Sequence, residues 1–551
     1  MGHSFRCRRR LSRITVVLAL VTAAGAPAAV HRLSAGQSFS NVELGYFKPA
    51  LSPDGKRVVY CQDAETDGAY ALWSVKVVGG PPVRLSPALA AGRLACWFQI
   101  SPDGSRVVYL ANQNSASSYD LFSAPVDGSA LAVQLNPGLV TNGGVSSDFA
   151  ISPDSSTVVY RGDQAVDERF DLWSVPIGGG LNVELNANFL ATADVTKFGI
   201  SPTGLDVVYL IDLEDDERFI IVGSPIFGGG WWYVASPGFA ESDWTAFQFI
   251  SDGSQVVILG DRDLDDRFEL YRSATDGSTA GTHIGIVPGL NGDVFSFTFS
   301  PDGAWVVYFG DLVTNNLFEL FTVSTAGTGN SQLNGDMVDG GDVDGGFVIN
   351  DSDGRLAYVA DQEIDGRYDL YSVFVEDGPV VRLNPVLAGT YDVAFDPLAL
   401  PASSRFAYRV NFFEGLGSTD LYSVPDTGGA SAQLSPVPPN GIWTAQRPVA
   451  AAFGAHVFFE LQTFPDLPGT NATTLYRAAV DGSELLSIAP VLDLAAGETF
   501  SWLGPSADPR QALFVSNDQT GFETELYAGD ICALCDGFES GGTARWSTAV
   551  P

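Results

Sequence analysis

A chain of 551 residues that is 45% hydrophobic and only 17% charged has the composition of a globular protein, which excludes a disordered one. Its 65 acidic side chains against 29 Lys and Arg give a formal net charge of -36, which opposes nucleic acid and anionic membranes and favours basic or cationic partners. Length alone suggests about three or four domains, but a sequence repeat removes that expectation, because stacked repeats share one continuous core.

Residues 1 to 28 read as a secretory signal. Arg6, Arg8, Arg9, Arg10 and Arg13 form a basic start, Ile14 to Ala24 an apolar run, and Ala26-Pro27-Ala28 a small-residue cleavage site. The run is too short to cross a bilayer. Arg8-Arg9-Arg10 followed by Leu11-Ser12 is a loose match to a twin-arginine route, and either route exports the chain. Cleavage after Ala28 removes five arginines and no acid, leaving a formal charge of about -41. The expected location is the periplasm or the exterior, with no membrane span.

From there the chain is a repeat of about 50 residues, the period of propeller blades. Each copy has four short segments of strand character. The first alternates apolar residues, as in Phe149-x-Ile151, and ends in a Pro-Asp-Gly turn at 53 to 55, 102 to 104 and 301 to 303. The second is Val-Val-Tyr, at 58 to 60, 107 to 109, 158 to 160, 207 to 209 and 306 to 308; in the ninth copy the equivalent reads Val457-Phe458. An acidic loop leads to the third, centred on an aromatic such as Trp73, Trp173 or Tyr371. A glycine turn such as Gly79-Gly80 or Asp127-Gly128 then leads to the fourth, as in Val83-Arg84-Leu85. Ten copies are countable. The tenth lacks its own fourth strand, and Val30-His31-Arg32-Leu33-Ser34-Ala35-Gly36 resembles one. The expected fold is therefore all-β: a single closed propeller of about ten four-stranded blades over residues 29 to 531, the N-terminal strand completing the last blade. Two smaller propellers are the alternative, although nothing near the middle of the chain reads as a linker. Residues 532 to 551 form a Gly-rich tail carrying Cys532-x-x-Cys535.

The signature Ser-Pro-Asp-Gly-x-x-Val-Val-Tyr, then Asp, then Leu-Trp/Tyr-Ser-Val, then Gly-Gly, then Arg-Leu, resembles the TolB-type repeat, also called the WD40-like PD40 propeller repeat, over residues 30 to 528. Ile220-Ile221-Val222 departs from it in the fourth copy, and copies eight to ten have degraded Pro-Asp-Gly turns, which blurs the later blade boundaries. The resemblance implies a fold more than a function, since similar propellers serve as envelope binding proteins, gates on peptidases and lyases.

Strand alternation places the loops between second and third strands on one face of the disc, together with the loops between blades, and the tight turns on the other. The first of these faces is acidic. Its recurring element is Asp, three residues, Asp, as in Asp163 with Asp167 and Asp361 with Asp365. One reading is a set of calcium sites, since hard cations gather carboxylate oxygens in flexible loops. The other is turn chemistry with local neutralisation by Arg169, Arg218, Arg267 and Arg367, each two residues past the second aspartate. Calcium is the candidate cofactor at two places. Asp261, Asp263 and Asp265 copy the opening of a calcium loop without its glycine or closing glutamate. Asp336, Asp339, Asp342 and Asp344 crowd the loop between the sixth and seventh copies. Cys61, Cys96, Cys532 and Cys535 are disulfide candidates that pair in three ways.

Catalytic signals are thin. There is no Gly-x-Ser-x-Gly elbow, and His31, His283 and His456 lie in distant copies. Trp231, Trp232 and Trp244 could stack on sugars or pack between blades. The expected function is non-enzymatic: an exported scaffold engaging a protein, peptide or glycan of the cell envelope or exterior through its acidic face. The alternatives are an extracellular hydrolase or lyase working at the channel, and a calcium-stabilised surface protein.

Overall fold

A computed structural model describes residues 30–32 and 49–530, leaving out the segments 213–218, 236–243, 413–417, 437–441, 451–455, 465–471, 488–498, 506–510 and 519–522 and scattered loop positions such as 67 and 265. The signal and tail readings lie outside these residues. Among the described residues every regular element is a strand. Eight sheets have four strands each, and one has nine. The third repeat is representative: Val145–Ile151, Thr157–Gly162, Asp171–Pro176 and Val183–Glu184 pair antiparallel in chain order. The expected swap at the chain ends is present. Val30–Arg32 pairs antiparallel with Glu523–Asp530, Val30 opposite Gly529 and Arg32 opposite Tyr527, as the fourth strand of the last sheet.

The Val-Val-Tyr strands are buried on both sides because each sheet is covered by a neighbour on either face. Along Arg106–Ala111, Val107, Tyr109 and Ala111 pack with the first sheet, whereas Val108 and Leu110 pack with the third. Period-two alternation thus turns one strand into half of two cores. Eight such clusters, each shared by consecutive repeats, run from the first repeat to the ninth. Each fully buried Val contributes roughly 1.5 to 3 kcal/mol. The tyrosine of the motif meets the aromatic of the third strand as its cross-strand partner: Tyr109 stacks on Phe122, Tyr308 on Phe321 and Tyr358 on Tyr371, with centroids 5.5 to 5.6 Å apart. In the ninth repeat Phe459, rather than Phe458, takes this place against Tyr476. The fourth repeat has Val222 there, and Trp232 lies over the neighbouring Gly223, where a Cβ would sit 2.7 Å from the indole.

Ser-Pro-Asp-Gly is a complete hydrogen-bonding unit, and it forms in the third repeat too, where Ser155 stands in place of the glycine with φ 63°. Ser152 Oγ donates to Asp154 Oδ1 at 2.6 Å and accepts the Thr157 N–H, while Asp154 Oδ1 accepts the Ser156 N–H. The same bonds recur at Ser52, Ser101 and Ser300. Ser52 and the Lys56 amide draw the Asp54 carboxyl down to about 2. Glycine closes the turn because φ is positive there, 65° at Gly55 and 70° at Gly303.

The eighth repeat departs from the pattern. Its first strand is broken into Asp392–Val393 and Leu398–Leu400 around Pro397, which has no N–H for the ladder. One parallel bridge, Thr419 to Thr444, then joins it to the ninth repeat. The expectation of ten separate sheets is corrected to nine, with these two repeats sharing the nine-stranded one.

Candidate functional site

The acidic loop face is assembled from three tiers of carboxylates. The deepest opens the third strand. Asp171 is buried: its Oδ1 accepts a bond from Asn186 at 2.9 Å, and its Oδ2 lies 2.6 Å from Arg169. Asp369 with Asn384 and Arg367 repeats the arrangement, and Asp120 takes Asn136 and Gln134. In the fifth repeat Glu269 is held by Arg267 at 3.0 Å and by the Tyr271 hydroxyl at 2.8 Å, with His283 Nε2 at 3.8 Å. Burial keeps His283 below the usual imidazole value against the pull of Glu269. Glu269 is 1% exposed, so no substrate reaches it. The arginines therefore reach forward into the third strand. The neutralisation expected for the aspartate two residues behind is corrected for Arg169 and Arg367, whose ion pairs reach forward instead; Asp265, behind Arg267, and Arg218 lie outside the described residues.

The second tier is the first aspartate of each Asp-x3-Asp element. Asp361 is 2% exposed; its Oδ1 accepts the Asp342 N–H at 2.5 Å and its Oδ2 the Gly366 N–H at 2.7 Å. Asp163 accepts from Gly144 and Glu168; Asp311, with Asn315 in place of a second aspartate, accepts in the same way from Asp293 and Asn316. The third tier runs the other way across the blade boundary. Asp194, Asp293, Asp342 and Asp392 accept the N–H of Phe170, Phe268, Phe318 and Tyr368, the residue immediately before the third strand. Asp293 and Asp342 thus link two blades, each donating its N–H to a carboxylate of the following blade and accepting with its own carboxylate an N–H of the preceding one, a role that charge-assisted bonds to backbone N–H perform well.

The candidate calcium residues fall into this scheme. Asp261 is buried and accepts the Asp266 N–H at 3.2 Å; Asp263 lies at the surface beside Arg262; Asp265 is outside the described residues. Asp336 and Asp339 are exposed, Asp342 bonds Phe318, and Asp344 accepts the Gly346 N–H at 3.3 Å, its carboxyl raised by burial. Among the described residues no three His, Cys, Asp or Glu side chains gather as a metal shell. Cys61 and Cys96 form a disulfide, Cα atoms 5.4 Å apart, that staples the first sheet to the second. Cys532 and Cys535 lie outside the described residues. Of the tryptophans, Trp244 is fully buried, while the half-buried Trp232 donates to the Thr275 carbonyl at 2.8 Å and the half-buried Trp231 stacks on Phe189.

What the sequence reading missed stands at the loop tips. The Arg169, Arg267 and Arg367 N–H groups donate to the carbonyls of Val166, Leu264 and Ile364, closing turns whose third residue has positive φ: Glu168, Asp266 and Gly366. The turns hold these aliphatic side chains out of the fold, 45%, 45% and 50% exposed; in the sixth repeat Thr314 takes the tip, and Val313 just before the turn is 62% exposed. The signal was legible as an aliphatic three residues after the first aspartate, Asp-x-x-aliphatic-Asp, although its exposure was not. Among the described residues no helix is long and apolar enough to cross a membrane.

No family model and no curated protein matches this chain. Solved structures similar to it include one described as TolB from Agrobacterium tumefaciens, 18% identical, covering 47% of this chain and 83% of that one with a TM-score of 0.28. An oligogalacturonate lyase in complex with manganese is 12% identical, covering 63% and 96%, TM-score 0.34. The dipeptidyl peptidase 4 of Porphyromonas gingivalis is 12% identical over 86% of this chain and 64% of its own, TM-score 0.45.

Proposed function

We propose that this is an exported, non-enzymatic binding propeller, its repeats closed in a single ring, that holds a protein or peptide partner on the acidic loop face. The observation that carries the reading is the row of aliphatic tips, Val166, Leu264 and Ile364, each presented by a turn pinned to a buried aspartate. Rigid loops lose little entropy on binding, and aliphatic anchors in a carboxylate surround suit a partner with apolar contacts ringed by Lys and Arg. A glycan would stack on aromatic rings, and the described tips carry none. Export is supported by the signal-like residues 1 to 28 and by the Cys61 to Cys96 disulfide, which an oxidising compartment sustains.

The test is capture from envelope extract by the mature protein and by the triple variant Val166→Asp, Leu264→Asp, Ile364→Asp. These exposed positions tolerate the change, so the variant is expected to melt with the wild type yet lose the captured partner. Equal capture by both would refute the loop face as the binding surface.

A further inference from the structure

The opposite face, that of the tight turns, carries a groove of about 600 Å3 between the first and second sheets, within the range of ligand pockets. Its walls hold Lys56, Arg57 and Lys76, and its apolar side is Val77, Val78 and Val126. Asp54, the one acid lining it, is already engaged by Lys56 at 3.0 Å and by the Ser52 hydroxyl. Arg57 and Lys76 stand directly opposite one another on antiparallel strands, so their side chains share one side of the sheet. Like charges so placed repel. Among the described residues neither of the two forms an ion pair. Asp127, in the turn after the second sheet's third strand, interacts with Arg57 through space, and its Oδ1 accepts the Ser129 amide.

The same register position elsewhere pairs Arg106 with Pro125, Asp206 with Pro225, Trp305 with Ser324 and Arg405 with Pro425. In the described residues only the first repeat sets two formal cations across it. A chain with more than twice as many acids as bases therefore gathers three cations at one groove. Val78, 73% exposed, stands beside them. No aromatic ring lines the groove, so a sugar finds no stacking surface, whereas an extended peptide presents carboxylates and aliphatic side chains alternately.

We propose that this groove binds an acidic peptide segment, with its carboxylates between Arg57 and Lys76 and an aliphatic side chain against Val78. The site is independent of the loop face. Its occupant would relieve the repulsion between the two cations.

The test is fluorescence anisotropy at low salt with a labelled peptide of alternating glutamate and leucine. Wild-type protein is expected to bind it, more weakly as salt rises. The double variant Arg57→Gln, Lys76→Gln is expected to weaken binding about tenfold or more. Lys197→Gln, which removes an exposed cation on the fourth sheet, is expected to change it less than about twofold. Because glutamine removes the cross-strand repulsion, the double variant is also expected to melt no lower than wild type. No binding by wild type at low salt, an equal loss in Lys197→Gln, or tighter binding of an oligogalacturonate than of the peptide would overturn the assignment.

Discussion

Replacing Asp361 by Asn separates a structural carboxylate from a metal-binding one. The wild-type side chain accepts two backbone N–H bonds, from Asp342 at 2.5 Å and Gly366 at 2.7 Å, in a site that is 2% exposed. Asparagine keeps the shape but offers one acceptor oxygen and turns an NH2 toward the other N–H. One charge-assisted bond is weakened to a neutral one, and one buried N–H is left without an acceptor. With bonds to charged groups worth about 1.5 to 3 kcal/mol and an orphaned buried group about 1 to 3, the expected cost is about 2 to 4 kcal/mol. Stacked repeats need not unfold in one step, so the assay is amide hydrogen exchange at Asp342 and Gly366. That cost corresponds to acceleration of roughly 30- to 900-fold at these amides, with little change in distant sheets. The measurement is made in excess EDTA and again in excess calcium, and the acceleration is expected to be the same. An effect confined to the calcium sample would mean that the carboxylate serves a cation, and the reasoning fails.

Three further outcomes follow from the packing. Cys96→Ser opens a loop of 35 residues between the first two sheets and is expected to cost about 4 kcal/mol, read as a lower denaturant midpoint; a wild-type midpoint under oxidising conditions would refute the staple. Burial and the neighbouring Asp353 push Asp426 up to about 7, so its folded carboxyl holds a proton more tightly than the unfolded one and its contribution to stability disappears as pH rises through about 7. Asp426→Asn is therefore expected to raise the melting temperature over wild type at pH 8 but not at pH 4, and an equal change at both would contradict the titration. Gly223→Ala drives a methyl into the Trp232 indole and is expected to destabilise by about 1 to 3 kcal/mol, with a change in tryptophan fluorescence; a neutral result would mean that the ring moves aside at no cost.

Much of the architecture was legible before any coordinates, because it rests on chemistry between near neighbours in the chain. Ser152, Asp154 and the residues up to Thr157 satisfy one another within six positions, so the turn is written where it forms. The recurring Val-Val-Tyr run marked the second strand of each copy, and the likeness of Val30-His31-Arg32 to other fourth strands foretold its partner almost 500 residues away. The acidic loops were equally visible as acidic, but their charge alone did not say what the carboxylates hold.

That was decided by the stacking of sheets. Asp361 finds its second donor only because the loop before the seventh sheet returns beside it, and Arg169 turns toward Asp171 because the third strand carries that acid inward. The pairing of Cys61 with Cys96 and the facing of Arg57 and Lys76 are likewise matters of register between strands. The degraded Pro-Asp-Gly turns of copies eight to ten blurred the later boundaries in the sequence, and the bridge from the eighth repeat to the ninth depends on where two whole repeats come to lie. Local sequence determined the strands, the turns and the period, since each is settled within a few bonds. The tertiary structure decided which charges are occupied and which face solvent, because a carboxylate's partner is set by packing between segments that the chain itself keeps far apart.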